Sequence, residues 1–316
     1  MELPNPLVSI VIPVYNKELW ITETLRSVFN QNYENWECII VNDGSTDESL
    51  NRIVDFVDSH PAKWRVVTIA NSGQTFARNY GIKLSDGDYV SFLDADDLWH
   101  PNKLIAQIEQ FLRNPGLELS LTPYVIFSEN QRKGFRIVKN SNPEKLVSDW
   151  LSMRGFGGLI ESTGMLKRST LVDFDYYEGQ LSMTAGLDLC LRVVRLKPSI
   201  ITTQPYVYYR LSEGQFHENE NIWVSDLIIT TSVHANSLEI LNRLKVNHAN
   251  YLYWSENRSL GRFNFVKSIL HAFLIFDFSK LAMLYSLISR NIVAIFRGVW
   301  RQRDIRLFLQ NHRIEP

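Results

Sequence analysis

Cysteine is nearly absent: the 316 residues contain two, Cys38 and Cys190. Two thiols exclude a disulfide-rich secreted scaffold and any four-cysteine zinc site, and they fit a reduced, cytoplasmic setting. Glycine (15) and proline (11) are sparse, and with 45% hydrophobic and 21% charged residues the chain is neither disordered, collagen-like nor low-complexity. Neither sign of charge dominates, since 33 Lys and Arg face 34 Asp and Glu for a net charge of −1. Nothing in that balance points to nucleic acid, and no such partner is expected. Long apolar runs are missing too. A spanning helix needs roughly 18 to 20 uninterrupted apolar residues, and the nearest stretch, 269–288, is broken by His271, Asp277 and Lys280. The opening MELPNPLVSIVIPVYN lacks a basic leader and holds Ser9 and Pro13 within its apolar run, so it is not expected to act as a signal peptide. No Gly-x-Gly-x-x-Gly follows the first apolar run, and there is no Gly-Lys-Ser/Thr phosphate loop. Dinucleotide oxidoreductases and P-loop nucleotide hydrolases are thereby excluded, and any bound phosphate must be neutralised in another way.

What the chain does contain is alternation. Val8 to Pro13 is a nearly continuous apolar run, as expected of a strand buried on both faces. Ile21, Leu25, Val28 and Phe29 follow with helical spacing. Trp36 to Val41 predicts a second strand, ending in the turn and cap residues 42–47, and Leu50, Ile53, Val54 and Val57 repeat the helical spacing. Further strands are predicted over 65–69 and 89–93, a helix over 75–84, and another opened by Pro101 and carrying Leu104, Ile108 and Phe111. This order implies a largely parallel sheet with right-handed crossovers, in which ligands bind at the carboxyl ends of the strands. The polar residues fall there: Asn16, Asp43, Asn71, then Asp94 and Asp96.

The run Phe92-Leu93-Asp94-Ala95-Asp96-Asp97 sets two carboxylates at i and i+2 where an extended strand passes into a loop. In an extended segment those two point the same way. Hard oxygen ligands suit Mn²⁺ or Mg²⁺ shared with a diphosphate, whose oxygens and water complete the coordination. Asp97 is expected to face elsewhere.

Four blocks, Val8-Ser9-Ile10-Val11-Ile12-Pro13-Val14-Tyr15-Asn16, Val41-Asn42-Asp43-Gly44-Ser45-Thr46-Asp47, Asn71-Ser72-Gly73 through Ala77-Arg78-Asn79, and Leu93-Asp94-Ala95-Asp96-Asp97, resemble the family 2 glycosyltransferases of the GT-A fold. The resemblance implies an α/β, Rossmann-like domain with a mostly parallel central sheet flanked by helices. It implies an inverting transferase using a nucleotide-sugar donor, a divalent metal (Mn²⁺ or Mg²⁺), and a hydroxyl on a glycan or lipid-linked acceptor. Pro13 and Tyr15 would line the nucleobase pocket, Asp43 would accept from the base imide N–H, Asn71 and Arg78 would sit near the nucleotide, and UDP is favoured by family habit. Asp94 would reach the ribose or the metal's water shell, and Asp96 would ligate the metal. Arg210, in Tyr208-Tyr209-Arg210, would clamp the diphosphate bidentately.

One departure stands out. The family helix that carries the general base usually opens Glu-Asp, one residue, Asp-Leu, whereas this chain reads Ala185-Gly186-Leu187-Asp188-Leu189. Glycine at the base position cannot take a proton, and a positioned base typically contributes about 10²–10⁴-fold. Three explanations are open: Asp188 serves instead, Glu161 or Glu178 reaches in, or the chain is a catalytically impaired nucleotide-sugar-binding or scaffolding homologue. Asp188 is the assigned candidate.

The expected organisation is a GT-A domain over 1–217, with a donor half (1–100) and an acceptor half (101–217), and a helical basic region over 218–316. Residues 258–316 hold ten basic and three acidic side chains, interleaved with aromatics such as Phe273, Phe296 and Trp300. Such a segment either packs with a solvated basic face or lies on anionic lipid, giving peripheral contact with the inner face of the plasma membrane.

Overall fold

The computed structural model describes residues 4–128, 131–137, 161–179, 181 and 185–211, with single positions 143 and 230. All belong to the first of two units into which the chain divides, Met1–Asn236. The basic region expected over 218–316 lies outside the described residues, Thr230 aside, and so does its expected membrane contact. No described helix is long and apolar enough to cross a membrane.

The strands β1 (Val8–Val14), β2 (Trp36–Asp43), β3 (Trp64–Ile69) and β4 (Tyr89–Phe92) alternate with helices α1 (Ile21–Phe29), α2 (Ser49–Ser59) and α3 (Gln74–Lys83). Then come β5 (Leu98–Trp99), α4 (Lys103–Arg113), β6 (Leu119–Leu121), β7 (Tyr124–Ser128), β8 (Gln131–Ile137) and β9 (Met165–Lys167). Helices α5 (Arg168–Asp173) and α6 (Ala185–Leu196) and strands β10 (Ser199–Ile201) and β11 (Val207–Leu211) complete the described chain.

All seven residues of β1 are buried, as its apolar run requires. Alternate side chains go to opposite faces. Ile10, Ile12 and Val14 pack with Ile21, Leu25 and Val28 of α1, Ile53 and Phe56 of α2, and Leu104 and Ile108 of α4. On the opposite face Ile39 and Val41 of β2 meet Ala77 of α3. The main sheet has seven strands in the order β10-β6-β9-β4-β1-β2-β3. It is parallel except for β9, which runs antiparallel to both β4 and β6. A second sheet, β5-β11-β7-β8, is not announced by the sequence, because two of its strands are too short or too irregular for a period to register. Pro101 precedes α4 rather than opening it: the helix starts at Lys103, and the Pro101 carbonyl accepts the Asn32 N–H.

Lys103 is wholly buried, with Nζ 2.8 Å from both Ser91 Oγ and Gln107 Oε1 and 3.9 Å from the centre of the Trp99 ring. Among the described residues no carboxylate pairs with it, and burial pushes its pKa well below the usual lysine range. Between that lowered value and the unfolded value of about 10.4, the unfolded chain binds more protons, so stability rises with pH. Urea midpoints from pH 7 to 10 are expected to climb in the wild type relative to Lys103→Met, and parallel curves would mean that the buried side chain keeps its proton.

Candidate active site

The carboxyl ends of β1 to β4 meet in one polar region. The loops after β1 and β2 are stitched together. Asn16 Oδ1 accepts the Thr46 N–H at 2.8 Å, Ser49 Oγ accepts the Lys17 N–H at 2.7 Å, and Asp47 accepts the Glu18 N–H at 3.1 Å. Gly44 sits at φ +67°, and a Cβ there would fall 2.8 Å from the backbone nitrogen of Asn71. Only glycine allows both that conformation and the approach of the third loop. Asp43, 3% exposed at the end of β2, receives the Ser72 N–H at 2.7 Å and the Gly73 N–H at 2.9 Å, one on each oxygen. Each carboxylate oxygen keeps a lone pair for a ligand donor. Tyr15 is 45% exposed just after β1, and Asn71 is exposed next to Gly44. Pro13 is buried within β1 opposite Val41.

The acidic run does not continue the strand. Asp97 N–H returns to Asp94 O at 3.0 Å, closing a turn over Ala95 and Asp96. The expected extended i, i+2 geometry is therefore replaced by a turn, which sends the two carboxylates to different cations. Asp94 Oδ1 lies 2.6 Å from Arg78 Nη2, and Asp96 Oδ2 lies 2.7 Å from Lys17 Nζ. The two still feel one another: burial raises the Asp96 pKa, Lys17 pulls it back, and Asp94 adds to the rise. Asp97 faces away, as expected. It is wholly buried and accepts from Ser162 Oγ at 2.6 Å and from the Arg210 N–H at 3.1 Å. The Thr24 hydroxyl, 3.0 and 2.9 Å from the carbonyls of Ala95 and Asp97, pins the turn from α1.

Arg210 holds the same turn from behind. Its Nε donates to Asp96 O at 2.8 Å, its Nη2 to Glu23 at 2.6 Å, and its guanidinium lies between the rings of Trp20 and Phe127 at 4.5 and 4.7 Å. The structure thus places it as a support for Asp96, where the sequence suggested a diphosphate clamp. Asp188 is 5% exposed in the first turn of α6, and its Oδ2 accepts from Arg192 Nε at 2.8 Å. Arg192 also donates to the carbonyls of Phe174 and Tyr176, closing a turn in which Asp175 and Tyr176 have φ +54° and +62°. That is the work of an anchor at a helix start. Glu178 is exposed on the following loop.

Arg78, missed in its full role, is the centre of the region. It is 1% exposed on α3 and joins Asp94 to Glu161, whose Oε1 lies 3.2 Å from Nη1. Among the described residues its Nε has no hydrogen-bond partner. The two carboxylates raise its pKa against the effect of burial. No three His, Cys, Asp or Glu side chains converge on one point among the described residues, so the protein forms no closed metal cage there. Asp94 and Asp96 nevertheless offer hard carboxylate oxygens that retain some exposure, which fits a divalent cation whose other positions come from a diphosphate and water.

Residues 9–163 match the family model described as "Glycosyl transferase family 2". A curated relative, the "UDP-Glc:alpha-D-GlcNAc-diphosphoundecaprenol beta-1,3-glucosyltransferase WfgD" of Escherichia coli, is 34% identical over 174 residues, 54% of this chain and 64% of that protein. The chain covers less than two thirds of such relatives, as it also matches 44% of an uncharacterized glycosyltransferase of Haemophilus influenzae. Two solved structures share the fold. S. aureus TarS 1-349 in complex with UDP-GlcNAc has a TM-score of 0.56 at 19% identity, covering 89% of this chain and 79% of that one. The mannosyltransferase PcManGT of Pyrobaculum calidifontis, in complex with GDP-Man and Mn2+, has a TM-score of 0.59 at 14% identity, covering 95% and 88%.

Proposed function

The chain belongs to glycosyltransferase family 2 through residues 9–163, and from that membership we propose that it transfers a sugar, with inversion, from a nucleotide diphosphate donor to a hydroxyl of a glycan or lipid-linked acceptor. The observation that carries the reading is the convergence of Asp43, Asp94 and Asp96 with Arg78 and Lys17 at the carboxyl ends of adjacent strands. Bound UDP-GlcNAc and GDP-Man in proteins of the same fold support the donor class. The name of the E. coli relative supports a UDP-sugar and a lipid-diphosphate acceptor.

Each residue has a task that follows from its chemistry. Asp43 fixes the Ser72-Gly73 loop and offers its remaining lone pairs to a base N–H, with the Tyr15 ring and Pro13 at the base and Asn71 and Arg78 beside the nucleotide. Asp94 and Asp96 would hold a divalent cation, Mn²⁺ or Mg²⁺, which when bound supplies positive charge to a departing diphosphate. Arg210 and Thr24 keep the Asp96 turn in place, so that the site is preorganised before the donor arrives. Gly186 favours a second reading, a binding homologue without turnover, and the appearance of free nucleotide diphosphate from a bound donor would exclude it.

Calorimetric titration with UDP, GDP, dTDP, CDP and their common sugars, with and without Mn²⁺, tests the proposal. Selective binding of one nucleotide, tightened by Mn²⁺, is the expected result. No binding to any member would refute the donor site.

A further inference from the structure

Most carboxylates of the site are committed elsewhere. Asp43 holds a loop, Asp94 and Asp96 pair with cations, Asp97 is sealed behind the turn, and Asp188 is tied to Arg192. Glu161 differs. It starts a single 3₁₀ turn, Glu161–Thr163, just before β9. Its carboxylate reaches the far side of Arg78 from Asp94 and keeps 16% of its side-chain surface. It occupies space that a side chain at position 186 would need: a Cβ built on Gly186 would fall 2.2 Å from Glu161 Oε1 and 2.4 Å from its Cδ. The Gly186 backbone N–H also bonds to the Glu161 carboxylate. Glycine at 186 and glutamate at 161 are therefore one arrangement, the first making room for the second.

Resting on the transferase reading, we propose that Glu161 is the catalytic base, carried on the turn before β9 into the space that Gly186 leaves on α6. In the step, the Glu161 carboxylate takes the proton of the acceptor hydroxyl as that oxygen bonds to the anomeric carbon. The bond from that carbon to the diphosphate oxygen breaks with its electron pair, and the nucleoside diphosphate departs. One glycoside, one nucleoside diphosphate and one proton, now on Glu161, balance the donor and the alcohol. Water in place of the alcohol gives donor hydrolysis by the same bookkeeping. The surroundings suit a proton acceptor. Glu161 and Gly186 border a cavity walled by Phe92, Leu121, Leu166, Tyr177 and Leu189. Burial there raises the carboxyl's pKa, Arg78 draws it down and Asp94 adds to the rise. Both causes of the rise favour a carboxylate that accepts a proton more readily than an exposed one.

The test compares wild type, Glu161→Gln and Gly186→Ala using UDP-glucose, UDP-N-acetylglucosamine and GDP-mannose with Mn²⁺. Glu161→Gln keeps the size of the side chain and is expected to bind donor within threefold of wild type while hydrolysing it about 10²–10⁴-fold more slowly. The three atoms nearest a Cβ at Gly186 all belong to the Glu161 side chain, so Gly186→Ala is expected to push the carboxylate away from Arg78 and, where its urea midpoint shows it folded, to bind donor and lose turnover. Azide separates a base from a mere support for Arg78, since it attacks as an anion and gives up no proton. With azide, Glu161→Gln is expected to form glycosyl azide at a rate close to wild type. Hydrolysis by Glu161→Gln at the wild-type rate overturns the proposal, and so does slow hydrolysis that azide leaves unrestored. If the wild type itself binds none of the three donors, the transferase reading fails and takes this one with it, a result distinct from binding without a role for Glu161.

Discussion

Replacing Arg78 with methionine is expected to cost about 3–5 kcal/mol of folding stability, the usual loss when one member of a buried ion pair is removed. The side chain is 1% exposed, and its two guanidinium nitrogens serve two carboxylates that are themselves mostly covered, at 18% and 16%. Methionine would fill much of the volume and leave Asp94 and Glu161 facing each other without a cation. Both would have to protonate or move. Urea denaturation at pH 7 and pH 5 separates the terms: the deficit of Arg78→Met is expected to shrink at the lower pH, where uncompensated carboxylates take up protons at less cost. A deficit under 1 kcal/mol at pH 7 would mean that the three groups are not coupled as the distances require. The fold surrounds Arg78 with acid and aromatic (the Tyr177 ring centre is 5.7 Å away), so charge rather than volume is what the position needs.

Asp96→Ala is expected to remove the Mn²⁺ dependence of donor binding and to weaken that binding about 100-fold or more. Residues that only support a metal ligand typically cost 10–100-fold when changed, and a carboxylate that contacts the cation should cost at least as much. Stability should change little. The Lys17 side chain is 26% exposed and returns to water when its partner is lost. The contrast between the two substitutions is diagnostic, for Arg78 acts on the fold and Asp96 on the ligand. Calorimetric titrations with and without Mn²⁺ provide the check, and an unchanged metal effect in Asp96→Ala would remove the assignment.

Much of the first hundred residues was readable because β1 and β2 are buried on both faces and α1 and α2 each show one apolar face. Position alone placed Asp43, Asp94 and Asp96 at the strand ends, where the structure has them, while the roles written for them came from the family resemblance. Legibility fails where a contact is long in sequence and short in space. Glu161 meets Arg78 across 83 positions, and no period or motif links a glutamate before a three-residue strand to a glycine on a later helix. The turn at Ala95–Asp96 was unreadable for another reason: its shape is imposed by Thr24, Ser162 and Arg210, three side chains from three separate elements. The contacts of Arg210 were unreadable as well, because a guanidinium suited to phosphate is equally suited to a backbone carbonyl beside two aromatic rings.

The antiparallel strand β9 has a consequence for how this molecule holds together. Three residues, Met165–Lys167, fill the slot between β4 and β6, and they arrive only after the donor-binding segment is complete. Until then the neighbouring flanks of β4 and β6 present unpaired amides and carbonyls, the kind of open border along which chains stick to one another. A fragment ending near residue 100 would keep Asp43, Asp94 and Asp96 and still lack its final seam, so the segment proposed to bind the nucleotide is not expected to be a detachable module. The residue proposed to accept the proton lies four positions before that seam, which ties solubility and reactivity to the same short piece of chain.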